Sequence, residues 1–160
     1  MRTLAILILS LLTLLSAPAL GADFDKGLTA AKRGDYATAL REWMPLAEQG
    51  HARAQYNLGV MYGKGEGVEQ DYAVAVGWYR RAAEQGDAMA QNNLGLMYAL
   101  GDGVIQDYVQ AHMWGNIARS NGSASAEKLL TLLEKKMTAS QISEAQAAAR
   151  DCVAKDYKGC

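Results

Sequence analysis

Residues 35–70 read DYATALREWMPLAEQGHARAQYNLGVMYGKGEGVEQ, and residues 71–106 read DYAVAVGWYRRAAEQGDAMAQNNLGLMYALGDGVIQ. Laid over each other without a gap, the two stretches are identical at more than half of their positions. A third, eroded copy starts in register at Asp107 with DYVQAHMWGNIARSNGSASAEKLL. A period of about 36 residues belongs to stacked supersecondary units, each unable to bury its apolar face without a neighbour. A chain built this way is first of all a binding scaffold.

Each copy divides into two helices and two turns. Asp35, Asp71 and Asp107 are placed as N-caps, and the three-to-four spacing of alanines and aromatics in DYAVAVGWYRRAA predicts an amphipathic helix over 72–85. Gly50, Gly86 and Gly122 stop the first helix of each copy in the manner of a left-handed C-terminal glycine. The second helix is predicted over 52–64 and 88–100, each followed by Gly-x-Gly-Val (Gly65 to Val68, Gly101 to Val104). That glycine pair is not a phosphate loop: no strand precedes it, no Gly-Lys-Ser/Thr follows, and Glu66 and Asp102 would repel a phosphate. Gly59 and Gly95 lie inside helices, where glycine costs ~1 kcal/mol relative to alanine. Their recurrence in Leu-Gly-x-Met-Tyr implies close helix–helix approach.

The ends differ from the middle, as an array requires. Phe24 to Arg33 reads as a short helix turned by Gly34, and Thr138-Ala139-Ser140-Gln141 as a capping box opening a last helix through about Arg150. The expected organisation is a signal peptide at 1–22, a repeat solenoid at 23–150 and a tail at 151–160. Within the solenoid the units fall at about 35–70, 71–106 and 107–137, with a capping helix at 138–150. The fold class is all-α, a solenoid of antiparallel helix pairs.

Composition narrows the function. A net charge of −1 provides no basic face for nucleic acid. At the N-terminus, Arg2, the apolar run Leu4 to Leu15 and the small residues Ala17, Ala19, Gly21 and Ala22 follow the order of a secretory signal peptide. The run is about twelve residues, short of the roughly 20 that a spanning helix needs. Cleavage is expected between Ala19 and Ala22, leaving a periplasmic or secreted chain without stable membrane insertion. Both cysteines, Cys152 and Cys160, lie in the closing stretch CVAKDYKGC, and an oxidising compartment lets them pair. Their spacing is neither C-x-x-C nor, without a nearby histidine, a zinc set.

The stretch Ala-Glu-Gln-Gly-x-Ala-x-Ala-Gln-x-Asn-Leu-Gly-x-Met-Tyr-x-x-Gly-x-Gly-Val resembles the signature of Sel-1-like repeats, relatives of tetratricopeptide repeats. The region from Asp107 to Arg150, with Trp114, Lys135-Lys136-Met137-Thr138 and Gln141-Ile142, resembles the ending of exported bacterial members. The resemblance implies a right-handed α-solenoid that binds proteins or peptides as an adaptor in signalling or envelope processes. It brings no catalytic residues and no cofactor.

Differences between the copies point to a surface. In the second helices they cluster at Arg53/Met89, Tyr56/Asn92, Val60/Leu96 and Lys64/Leu100, steps of three, four and four that define one helix face. The third copy puts Ser125, Lys128, Leu132 and Lys136 there. In a superhelix of helix pairs such a face lines the concave side. The expectation is a groove with an apolar middle (Met89, Leu96, Leu100) and basic edges (Arg53, Lys64, Lys128, Lys136), suited to a segment with hydrophobic anchors and acidic flanks. The same apolar residues would otherwise serve weak self-association.

Enzyme readings are thin. Ser125-Ala126-Glu127-Lys128 matches the Ser-x-x-Lys of penicillin-recognising enzymes but lacks Ser-Asp-Asn and Lys-Thr-Gly companions, so a β-lactam-binding enzyme is the weakest alternative. His51 and His112 occupy non-equivalent places with no second ligand nearby, and no carboxylate pair stands out. No metal is implied. Trp78 and Trp114 lie one period apart, as stacking residues; Trp43 is one residue out of that register and is expected to be more exposed. The reading is a non-catalytic envelope scaffold of the kind that regulates a sensor or complex, with a secreted effector or virulence scaffold as the alternative.

Overall fold

Residues 21–160 are described in a computed structural model; the leader expected at 1–22 lies almost wholly outside them. Eight helices follow one another: α1 Phe24–Lys32, α2 Tyr36–Glu48, α3 Ala52–Lys64, α4 Tyr72–Ala83, α5 Ala88–Leu100, α6 Tyr108–Ser120, α7 Ala126–Glu134 and α8 Ala139–Ala154. There is no strand among the described residues. Each helix from α1 to α6 packs on the next, α5 also touches α3 on one side and α7 on the other, and α8 turns back onto α6. The chain is an all-α solenoid.

The repeated residues do repeated local work. Asp35, Asp71 and Asp107 accept from the backbone N–H of Thr38, Val74 and Gln110 at 3.0–3.1 Å, satisfying helix-end donors that would otherwise lack partners. Asp87 does the same for Ala90 at the head of α5, and in the preceding copy His51 Nδ1 takes its place, accepting from Ala54 N–H at 3.2 Å. Gly65 and Gly101 close α3 and α5 in the left-handed region, φ 73° and 79°. The loops beyond them are tied back by Gln70 and Gln106, whose amides donate to the carbonyls of Gly63 and Ala99.

Gly59 is required by packing. A Cβ there would stand 2.5 Å from Tyr79 Cδ1 and Cε1, so α4 approaches α3 through a gap only glycine leaves. The core is continuous along the array. Trp43, Leu58 and Met61 fill its first part; Tyr79, Leu94, Met97, Trp114 and Ile117 its centre; Leu129, Leu133, Met137 and Ala145 its last.

Three local expectations are corrected. Trp43 is buried, at 3% exposure, because Gly27 on α1 leaves room for the indole and the carbonyl of Phe24 accepts from Nε1 at 3.1 Å. Helix α4 stops at Ala83, two residues before the expected end, with Glu84 as C-cap. Helix α8 runs past Arg150 to Ala154, since Ala149 and Cys152 join the central core. Its start is as expected, with the Thr138–Gln141 capping box formed in both directions.

Candidate functional site

The face expected to bind a partner is built on α3, α5 and α7. Along α5, Met89, Leu96 and Leu100 are 47%, 41% and 58% exposed, and Leu132 on α7 is 51% exposed. Leu100 lies eleven helical steps beyond Met89, a run of roughly 16 Å at about 1.5 Å per step. Isolated exposed leucines need no explanation, but three large apolar side chains on one face of one helix form a stripe.

Two members of the predicted set sit elsewhere. Asn92 is buried at 8% exposure, its Oδ1 without a hydrogen-bond partner. Tyr56 is half-buried, its ring tilted against Tyr79 at 6.1 Å between centroids. Burial pushes the Tyr56 hydroxyl above its ordinary value; the Asp87 charge adds to this and a hydrogen bond from Asn93 opposes it. Neither stands free in solvent, so their difference between copies is a change of packing. Val60 is also half-buried and, with Lys64, lines a cavity of about 330 Å³ walled by Leu28, Tyr36 and Trp43.

The basic edge is sorted by its partners. Arg53 is exposed and lies over the Phe24 ring at 5.1 Å. Lys64 pairs with Glu66 at 3.7 Å, and Lys136, just beyond the end of α7, lies over Tyr108 at 5.6 Å. Lys128 is exposed and makes no ion pair within 4.0 Å among the described residues. The acids of α7 are turned to α6 instead, Glu127 to Arg119 at 3.4 Å and Glu134 to His112 at 3.5 Å. Lys128 is the one lysine within α7.

The His112 contact fixes a tautomer. Asn116 Oδ1 accepts from Arg119 Nη2 at 2.9 Å, and a guanidinium can only donate. The Nδ2 end of that amide therefore meets His112 Nδ1 at 2.8 Å, and Nδ1 accepts. The proton of the neutral ring sits on Nε2, facing Glu134. Burial holds His112 below its ordinary value, outweighing the hydrogen bond and charge of Glu134 that pull it up.

The family model for the Sel1 repeat matches residues 52–87 and 88–123. The chain carries Sel1 repeats. It is similar to a protective antigen present in uropathogenic Escherichia coli strains displaying an SLR fold, with 32% identity over 82% of this chain and 30% of that one, TM-score 0.76. It is also similar to a Sel1 repeat protein from Oxalobacter formigenes, with 31% identity over 81% of this chain and 55% of that one, TM-score 0.68. The chain thus spans about a third and about half the length of these two relatives. No curated protein matches it. The Sel1 repeat is a non-catalytic scaffold fold that mediates protein–protein interaction.

Ser125 is the N-cap residue of α7 and its Oγ lies 3.1 Å from Ser123 Oγ; Lys128 is exposed one turn on. No cluster of three or more His, Cys, Asp or Glu able to hold a metal occurs among the described residues, and no described helix is long and apolar enough to cross a membrane.

The cysteine pair expected in the closing stretch forms, and beside it lies a cavity that the repeats did not foretell. Cys152 and Cys160 are joined by a disulfide, and the nine-residue ring folds Tyr157 back onto the array, where its hydroxyl meets Asn121 at 3.2 Å. Lys158 Nζ donates to the carbonyl of Glu84 at 2.8 Å. Between α6, α8 and this tail lies a cavity of about 490 Å³ whose lining includes Ile117, Arg119, Asn121, Ala149, Arg150 and Tyr157. The signal for it was the face Gln146, Ala149, Arg150 and Val153, which requires α8 to be read through its last turn.

Proposed function

We propose that this chain is a non-catalytic adaptor working outside the cytoplasm, holding a segment of a partner protein along the face of α3, α5 and α7. The observation that carries this reading is the alignment of Met89, Leu96 and Leu100 in solvent along one face of α5, with Leu132 also exposed on α7. Covering a Leu or Met side chain in full is worth ~1.5–3 kcal/mol, so three or four half-exposed anchors are enough for a moderate affinity. Lys128 on α7 and Arg53 on α3, both exposed, favour a segment with acidic flanks. Export is supported by the leader pattern of residues 1–22 and by the disulfide, which an oxidising compartment maintains. Regulation of an envelope sensor or complex is the proposed setting.

A released effector or virulence scaffold is the second reading, favoured by the likeness to a protective antigen of uropathogenic strains. Fractionation separates the two readings: recovery in the periplasm supports the adaptor, and recovery in the medium supports the effector.

The binding surface is tested with the double variant Met89→Asp, Leu96→Asp. Both positions are exposed, so its circular dichroism and melting temperature should match the parent chain. Proteins cross-linked by the parent chain in envelope extract and lost with the variant support the groove. Capture of the same proteins at the same yield by a folded double variant rules it out.

A further inference from the structure

The cavity between α6, α8 and the C-terminal tail is remote from the stripe on α5 and combines three features that a ligand site needs. Its charge comes from Arg119 and Arg150. Arg119 is held in place by Asn116, itself 9% exposed, and shares its charge with Glu127. Arg150 is exposed and makes no ion pair within 4.0 Å among the described residues. Its apolar walls are Ile117, Ala149 and Val153, the last 45% exposed. Its third wall, Tyr157, is fixed in an unusual conformation: Asp156 and Tyr157 have φ of 50° and 64°, a left-handed backbone that non-glycine residues adopt at a cost. The disulfide ring, Asn121 and Lys158 together hold that strained pair against the array.

We propose that this cavity binds the carboxyl end of a polypeptide, taking its terminal carboxylate at the arginines and its last aliphatic side chain against Ile117, Ala149 and Val153. Planar guanidinium groups match a carboxylate in geometry as well as charge. A doubly charged phosphate is disfavoured, because Glu127 offsets one arginine and the cavity lies at the end of α6 whose free carbonyls carry negative partial charge. A volume of about 490 Å³ falls within the range of small-ligand pockets. Ser120, Asn121 and Gln146 on its lining supply side-chain donors and acceptors for the last peptide group, which a simple fatty acid lacks. This proposal does not depend on the α5 stripe.

The oxidised full chain is titrated with acetyl-Gly-Ala-Val free acid, with the same peptide amidated at its C-terminus, with isovalerate and with inorganic phosphate, followed by calorimetry and by amide chemical shifts. The free-acid peptide should bind saturably, with the amidated peptide, isovalerate and phosphate each weaker by about tenfold or more. Arg150→Gln should weaken the free-acid peptide by about tenfold, Arg150→Lys by less, and Met89→Asp with Leu96→Asp should leave it unchanged. Arg150 is exposed, so a folding defect is not expected, and circular dichroism checks this. Equal binding of acid and amidated peptides, isovalerate as tight as the peptide, an unaffected Arg150→Gln variant, or no saturation below roughly 1 mM would each overturn the assignment.

Discussion

Gln85 donates its side-chain amide to Oε1 of Gln55 at 2.7 Å, and one repeat later Asn121 donates to Oε1 of Gln91 at 2.9 Å. Gln55 and Gln91 in turn donate to the carbonyls of Ala47 and Ala83 at 2.9 and 3.0 Å. Each buried glutamine therefore caps the end of one first helix and receives the amide that closes the next. Replacing Gln91, fully buried at 0% exposure, by Leu removes two hydrogen bonds, one at the Ala83 carbonyl, which keeps the Gly86 N–H, and one at the Asn121 amide, which keeps Tyr157. A loss of roughly 1–3 kcal/mol is expected, read as a lower urea midpoint at unchanged slope. Asn121→Ala, nearer the surface, should cost less than Gln91→Leu.

Three helical glycines should respond with opposite signs. In Gly59→Ala the new methyl meets the Tyr79 ring at 2.5 Å, and in Gly95→Ala it meets the Ala111 carbonyl at 3.0 Å. Both should destabilise despite a propensity gain of ~1 kcal/mol, Gly59→Ala more. At Gly77 on α4 nothing lies within 4 Å of an added Cβ, so Gly77→Ala should stabilise by roughly 0.5–1 kcal/mol. Thermal melts of the three variants check the ordering.

Stability should fall in acid through His112. Its folded pKa lies below the ordinary 6.5 because burial penalises the charged ring, so the unfolded chain binds the proton first. The contribution is fully present above pH 6.5 and is lost as pH falls below it toward the folded value. Protonation also places a donor on Nδ1 facing the Asn116 amide. Urea midpoints measured from pH 7.5 to 5 should decline for the parent chain and flatten over that window in His112→Gln; a parallel decline in both would assign the effect elsewhere.

Reduction should loosen the tail while sparing the repeats. The ring closed by Cys152 and Cys160 is short, so its loss costs at most ~3 kcal/mol in the loop-entropy account. In Cys152→Ser with Cys160→Ser, amides of 153–160 should exchange fast and Tyr157 should leave Asn121. The helices α2 to α5 should keep their protection. Loss of protection throughout would instead make the ring a condition of folding.

The repeat made most of this fold legible before any coordinates. Caps at Asp71 and Asp107, closing glycines at Gly65 and Gly101 and the Leu-Gly-x-Met-Tyr core recur in phase, and each has a local physical consequence. The helices 52–64 and 88–100 fall where the spacing places them. The face was less legible, because a difference between copies reports a change of environment and does not say whether that environment is solvent. At Met89 and Leu96 it is solvent; at Asn92 and Tyr56 it is the protein interior or its margin. Trp43 was misread against the register of Trp78 and Trp114; it aligns instead with Tyr79, a core position, and Gly27 was not seen as its partner. The cavity depends on α8 folding over α6 about 30 residues away, a non-local meeting that no period encodes.

Tyr157 stands where a further unit would continue the amide ladder, and a covalent ring holds it there. One extremity of the stack is thereby latched, while α1 at the other is tied mainly by the Lys26 and Asp23 contacts to Glu42 and the seat of Trp43. A nearest-neighbour array fastened on one side unzips from the other. Thermal opening should advance as a front from α1 toward α8, giving the molecule a direction of fraying that its near-identical modules alone would not possess.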